Sequence, residues 1–229
     1  MARYSPEHKE ATRRRMIETA GRRFKSDGID GSGIATLVAD AGLTNGAFYG
    51  HFDSKDDLVA SVVAQQLADQ VAVVDALAPG AASVEAFLRE YLSPAHRDDL
   101  ANGCPSAALL DEIGRCGETT RDAYTDGARS MIEAISRRLD GENAQQIDER
   151  AIGIFTLLVG SVQLARAVTD TELSDRILAA AYTQAMTIAS ARPGPATTPT
   201  PESPSHGAFS STAIDSQIRS TSCADARDE

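Results

Sequence analysis

The sequence predicts an all-α protein, with a three-helix N-terminal unit laid out as a helix-turn-helix followed by a larger helical bundle. Three observations carry this reading. Apolar residues recur at spacings of three and four along the 229-residue chain, which is the period of an amphipathic helix. Aromatics make up only 5% of it and β-branched runs are short, so no strand of convincing length emerges. Capping residues, glycines and prolines then divide the periodic stretches at helix-like intervals.

Ser5-Pro6-Glu7-His8 opens the first helix, with Ser5 as N-cap and Pro6 at the first helical position. Met16, Ile17, Ala20 and Phe24 stripe one face until Asp27-Gly28 ends it. A short helix is expected from about Ile34 to Asp40, closed by Ala41-Gly42, and a second short one from Thr44 to about Gly50. Asp53-Ser54 caps a long helix reaching Ala78. Beyond Gly80 the spacing predicts helices over 83–93, 104–115, 118–139, 145–168 and 173–190, a bundle in its own right. From Arg192 the chain turns to Pro, Ser, Thr and Gly and holds five of the nine prolines, a composition with too little apolar mass to order itself. The expected division is therefore 1–53, 54–191 and a disordered 192–229.

The net charge of −11 argues against nucleic acid until its distribution is examined. Residues 1–25 carry a net +5, residues 1–52 a net +2 and residues 53–229 a net −13. Positive charge is gathered at one end, where it acts locally.

Cys104, Cys116 and Cys223 form no CxxC pair, and Cys104 and Cys116 stand twelve residues apart, about 120° around one helix. Neither a disulfide framework nor a metal site is expected, since His8, His51, His96 and His206 are scattered. No cofactor is implied. The most apolar window, Ala151 to Val162, lies between Arg150 and Gln163 and reads as too short to span a bilayer. The opening MARYSPEHKEATRRR has no apolar run behind it, so it does not read as a secretory signal and residence in the cytoplasm is expected.

One short stretch stands apart. GLTNGAFYGHF, residues 42–52, sets three glycines, two phenylalanines, a tyrosine and a histidine together. Leu37, Leu43, Phe48 and Phe52 supply inward contacts of a helix-turn-helix, while Thr44, Asn45, Tyr49 and His51 are left to face outward. Gly46 has two readings, as a poor helix former or as the place where backbone approaches a base or phosphate.

Residues 22–58, RRFKSDGIDGSGIATLVADAGLTNGAFYGHFDSKDDL, resemble the DNA-binding signature of the TetR family of transcriptional repressors. They follow it without a gap through Phe24, Gly28, Gly42, Gly46 and Tyr49 to His51-Phe52 and Ser54-Lys55. The resemblance implies a ligand-responsive, homodimeric, non-enzymatic repressor that binds an operator in double-stranded DNA. It further implies that Tyr49, His51 and Lys55 contact phosphates and that Thr44, Asn45 and Gly46 meet base edges or the groove wall. For Lys55 a solvated helix start, and for His51 a buried structural role, stand as alternatives.

Two departures from the family pattern matter. Gly33 stands where a hydroxyl residue often starts the second helix, so Ser32, which the resemblance counts among the DNA-binding residues, is expected to cap it or the helix to begin late. Asn45 replaces a frequent lysine, and its amide suits bidentate pairing with adenine. Arg13, Arg14 and Arg15 point in three directions on one helix, leaving at most two for flanking phosphates.

By the same resemblance, the last two helices form the dimer interface, with Ile152, Val159, Gly160, Val162, Ile177, Ala181 and Ile188 as candidates, against ordinary intrachain core as the plainer reading. Residues 83–168 resemble the inducer-binding domain. Phe87, Tyr91, Cys104, Leu110, Glu112, Tyr124, Met131, Phe155 and Gln163 are its pocket candidates, with ordinary core as the plainer reading of each taken alone, and Glu112 as a partner for a cationic ligand or a surface carboxylate. GCPSAALLDEIGRC resembles a stretch of one subset of these repressors. Cys104 or Cys116 then becomes a sensor of oxidants or electrophiles, with inert buried cysteine as the alternative. A cysteine enzyme lacks a convincing base partner, since His96 lies eight residues from Cys104. A ligand-binding protein without DNA is the remaining competitor.

Overall fold

The computed structural model describes residues 6–141 and 143–191. The expected N-cap Ser5 and the tail 192–229 lie outside the described residues. Among those described there are ten helices and no strand.

The N-terminal unit consists of α1 (Pro6–Asp27), α2 (Ile34–Asp40) and α3 (Asn45–Phe48). In α1 the predicted stripe of Met16, Ile17, Ala20 and Phe24 is buried. Gly33, with no side chain to offer, is the N-cap of α2. Ser32 neither caps it nor stands on the surface to meet DNA: the residue is buried and its hydroxyl donates back to the Gly28 carbonyl at 2.8 Å. The turn after α2 needs a glycine. Gly42 takes φ +66°, while the amides of Gly42 and Leu43 return to the carbonyls of Ala39 and Val38 at 2.9 and 2.8 Å. This is a Schellman closure of the helix end. α3 is shorter than expected, because Tyr49 is already its C-cap and the amides of Gly50 and His51 form tight turns to Ala47 and Phe48.

α4 (Lys55–Asp75) begins on a reciprocal cap. Ser54 Oγ accepts from the Asp57 amide at 3.1 Å, and the Asp57 carboxylate accepts from the Asp53 amide at 3.1 Å. The bundle continues with α5 (Ala81–Tyr91), α6 (Pro94–Asp98), α7 (Pro105–Arg115), α8 (Glu118–Ser136), α9 (Ala144–Ala167) and α10 (Thr171–Ser190). α6 has no counterpart in the sequence expectation, since five residues are too few to show a period. Its signal was the Ser93-Pro94 start, where Ser93 Oγ accepts from the His96 amide.

Two apolar clusters share helices. One joins α1 to α4 with Leu109 and Ile113 of α7. The other joins Val74 of α4 and Cys104 and Ala107 at the start of α7 with α5, α8, α9 and α10. α4 and α7 thus run through both, so the N-terminal helices are seated on the bundle by side-chain packing as well as by chain connection. α4 and α9 are each long and apolar enough, by length and composition, to cross a membrane, which corrects the expectation that no segment reaches that length. In this fold their apolar faces pack against neighbouring helices.

Polar anchors fix the body. Arg166 of α9 donates to the carbonyls of Arg97, Ala107 and His96, and Arg150 donates to those of Ile188 and Ala189 at the end of α10. The carbonyls of His96 and Arg97 and those of Ile188 and Ala189 are left open where α6 and α10 end, whereas that of Ala107 lies in the first turn of α7.

Candidate nucleic-acid interface and ligand cavity

The two phenylalanines of the GLTNGAFYGHF stretch are its anchors. Phe48 and Phe52 are fully buried, with ring centroids 5.7 Å apart. Their burial turns the rest of the segment outward. Thr44, Asn45 and Gly46 are exposed, and Tyr49 is 65% exposed with its ring edge-on to Phe48. A Cβ added to Gly46 would meet no atom of the chain within 4 Å, so nothing inside the protein requires a glycine there. Lys55, the first residue of α4, is half-buried.

His51 is half-buried and its Nδ1 has no partner within the chain. Burial first, then the positive charges of Lys9 and Arg13, lower its pKa. The ring is therefore neutral at pH 7 and offers one N–H, not two. Leu43, expected inside, is only partly covered.

The basic surface is smaller than the charge count suggested. Arg13 lies over the Phe52 ring and donates to Ser61 at 2.9 Å. Arg23 pairs with Asp27 and Asp40, locking α1 to α2. Lys25 is buried. Lys9, Arg14 and Arg15 remain exposed on α1 beside Arg22.

A cavity of about 470 Å³ lies among α1, α4, α5, α8, α9 and the segment 101–105. Of the expected lining residues it includes Phe87, Tyr91, Met131 and Phe155. It does not include Cys104, Leu110, Glu112, Tyr124 or Gln163. Tyr124 is turned to Ser106, 3.2 Å from its hydroxyl. Glu112, neither a ligand partner nor a free surface carboxylate, accepts from the amides of Ile29 and Asp30. The Cys104 thiol sits behind the wall and donates to Gln70 Oε1 at 3.3 Å.

Residues 16–62 match the sequence profile of bacterial regulatory proteins of the tetR family. The transcriptional repressor NemR of Escherichia coli K12 is 25% identical over 134 residues, spanning 56% of this chain and 67% of that protein. The regulator TtgR of Pseudomonas putida is 36% identical over 63 residues, 28% of this chain and 30% of its own length. Among solved structures, reduced E. coli NemR superposes with a TM-score of 0.65 at 20% identity, over 76% of this chain and 95% of that one. A TetR regulator from Chloroflexus aurantiacus superposes with a TM-score of 0.61 at 26% identity, over 79% and 95%. The chain belongs to the TetR family of transcriptional regulators. As a TetR-family protein it is a DNA-binding regulator and not an enzyme.

In this TetR-family chain the sequence reading missed the cavity residues contributed by the reader's own side. Ile17, Glu18, Arg22 and Lys25 of α1 and Gln65, Gln66, Asp69 and Gln70 of α4 all line it. A signal was present in the polar run Gln65-Gln66 with Asp69-Gln70, set at helical spacing in an otherwise apolar helix.

The residues that line the cavity include one buried cation. Lys25 is 8% exposed and donates to the Gly103 carbonyl at 2.9 Å. Burial lowers its pKa, and the thiol of Cys104 and the charges of Asp99, Arg166 and Arg22 all act on it. His96 spans the same region. Its Nδ1 donates to the Tyr91 carbonyl at 2.6 Å and its Nε2 accepts from the Cys104 amide at 3.1 Å, which fixes one tautomer. Cys116 is held protonated by burial and by Asp56, Asp30 and Glu112.

The outer face of α9 and α10 departs in part from the expected interface. Val159, Val162 and Ala181 point inward and are at most 5% exposed, so they belong to the chain's own core. Ile177 and Ile188 are half-buried. Ile152 (43% exposed), Gly160 and Leu164 (53% exposed) form an outward row at four- and eight-residue spacing, joined by Leu173 of α10.

Proposed function

We propose that two copies of this regulator bind a palindromic operator through α3 and release it when a small molecule enters the cavity. Tyr49 and Lys55 hold phosphates and His51 offers its single N–H to one, while Thr44, Asn45 and Gly46 lie at base edges or the groove wall. The observation that supports the reading most is the make-up of the cavity wall, which joins α1 and α4 on the reader's side to α5, α8 and α9 of the body. A ligand there presses on the helices that set the reader's position. Residues 1–53 act as the DNA-binding domain and 54–191 as the ligand-binding and dimerisation domain. The work is done in the cytoplasm, where the DNA is.

A reader of about fifty residues makes few contacts, so a two-fold pair with half-sites about 34 Å apart, or a multiple of that, supplies the affinity. The outward row Ile152, Gly160, Leu164 and Leu173 offers an unpartnered apolar face for that pairing. Protection of a two-fold site in the DNA upstream of its own gene, weakening steeply with salt, is the expected result. Leu164→Glu should convert the dimer to monomer in sedimentation and abolish the footprint. A stable monomer that still protects a full palindrome would overturn the reading.

A thiol sensor on the same scaffold is the second reading. It is favoured at Cys104 over Cys116 by position, because the Cys104 thiol donates to Gln70, a residue of the cavity wall. Peroxide that lowers DNA affinity in the wild type and not in Cys104→Ser would support it; equal loss in both would end it.

A further inference from the structure

The cavity's buried charge is one-sided. Lys25 has a neutral carbonyl, that of Gly103, as its hydrogen-bond partner, and the donors of Arg166 go to three backbone carbonyls. No ion pair within 4 Å is formed by either among the described residues. The carboxylates that line the cavity, Glu18, Asp69 and Glu90, are all solvent-exposed, as is Asp99 nearby. Exposed charges are screened by water and salt, whereas a buried ammonium is not. A buried cation without an anionic partner is costly.

Two further polar atoms in the same wall are poorly satisfied. The Tyr91 hydroxyl is buried with the Cys104 sulfur, a weak acceptor, as its polar neighbour. The side-chain oxygen of Gln66 is likewise buried and unpaired. Its amide turned over would present an N–H instead. Val74, Phe87, Met131, Ile135, Phe155 and Leu158 supply apolar wall to the same cavity. A poorly satisfied hydroxyl donor near an uncompensated ammonium, in a chamber with apolar wall, matches one ligand chemistry.

We propose that the cavity takes a small monocarboxylate with an apolar body, its carboxylate accepting from Lys25 Nζ with the Tyr91 hydroxyl as a second donor. This rests on the inducer reading above and names its ligand class. Lys25 belongs to α1, so the anion would compete with the Gly103 carbonyl for a residue of the DNA-binding unit itself. The contact that ties α1 to the start of α7 is then the one the ligand replaces.

The test uses the full chain and three probes that share one apolar body: 2-naphthoate, the neutral 2-naphthamide and the cation 2-naphthylmethylammonium. In calorimetry without DNA, the acid should bind about ten-fold more tightly than the amide, as a charge-assisted bond requires. The cation should bind weakest. Lys25→Met should reduce the acid-to-amide ratio below about three-fold while amide binding persists, and Lys25→Arg should restore the preference. The wild-type ranking needs no variant, so a misfolded Lys25→Met leaves the test intact. Equal or stronger binding of the amide or cation, binding of none of the three, or a preference unchanged in Lys25→Met would overturn the proposal. Release of the upstream DNA is measured separately by fluorescence anisotropy. A carboxylate that binds through Lys25 without releasing DNA sinks the inducer reading and leaves the ligand class standing.

Discussion

The Glu112 carboxylate on α7 accepts a hydrogen bond of 2.7 Å from the Ile29 amide in the loop that follows α1. The same oxygen lies 3.4 Å from the Asp30 amide, and the carboxylate packs against Gly28. Together with Lys25 on the Gly103 carbonyl, it bolts the N-terminal unit to the segment that carries α7. Glu112→Ala should therefore lower stability by about 1–2 kcal/mol in urea unfolding, the range for losing an acceptor from a partly buried amide. Glu112→Gln, which keeps an oxygen acceptor, should lose less than half of that. Hydrogen exchange at Ile29 and Asp30 checks the mechanism: protection unchanged in Glu112→Ala would show that the bond is not what holds the loop.

The exposed residues of α3 divide by chemistry. Asn45→Ala should cost about 1–3 kcal/mol at one operator position and little elsewhere. Tyr49→Phe, which removes only a hydroxyl, should weaken every sequence alike and reduce the salt slope little, whereas Lys55→Ala should reduce that slope by about 1. A binding-site selection on each variant separates the two patterns. Loss spread evenly over all sequences in Asn45→Ala would remove its base-reading role.

Gly127 lets α8 lie directly on α4. A Cβ there would come within 2.4 Å of Leu67 Cδ1 and 2.7 Å of Leu67 Cβ. Leu67 is fully buried and cannot swing aside. Gly127→Ala gains about 1 kcal/mol in helix propensity but overpacks the contact by about 1–3 kcal/mol. A net loss near 1 kcal/mol is expected, where the same change at exposed Gly114, whose Cβ would meet nothing within 4 Å, should stabilise. Thermal melts of the two variants make the comparison directly.

Acidification should weaken the fold below neutral pH. Burial is the first cause lowering the pKa of both His96 and His51, so the unfolded chain binds more protons than the folded one as pH falls through the ordinary imidazole value of about 6.5. Stability is then fully present above that value and declines toward pH 5, by at most about 1.4 kcal/mol per pH unit for each ring. Protonated His96 would also lose its Nε2 acceptor for the Cys104 amide. In His96→Gln the slope of unfolding free energy between pH 7 and 5.5 should shrink; a slope equal to that of the wild type would exclude His96 as its source.

The order of the longer helices and most of their ends were legible in sequence, because they depend on local events: a period of three to four in apolar residues, Ser54 at an N-cap, Gly42 at a turn where it takes positive φ. The outward face of α3 was legible for the same reason. Phe48 and Phe52 must be inside, and the helical period places Asn45 and Tyr49 outside. What a polar side chain on an apolar helix does was not legible, because it depends on which element arrives from elsewhere in the chain. Lys25 counted as one more basic residue of the N-terminal region until Gly103, 78 residues on, covered it. Glu112 read as a ligand partner or a surface carboxylate until the amide of Ile29 took it. Val159 and Val162 followed the spacing of an interface, yet a helix apolar on every side cannot declare which row faces its own chain. Packing against α10 and α8 decided that, and left Ile152 and Leu164 on the outside. Local periodicity sets what forms; long-range burial sets which charge is trapped and which apolar face remains to meet a partner.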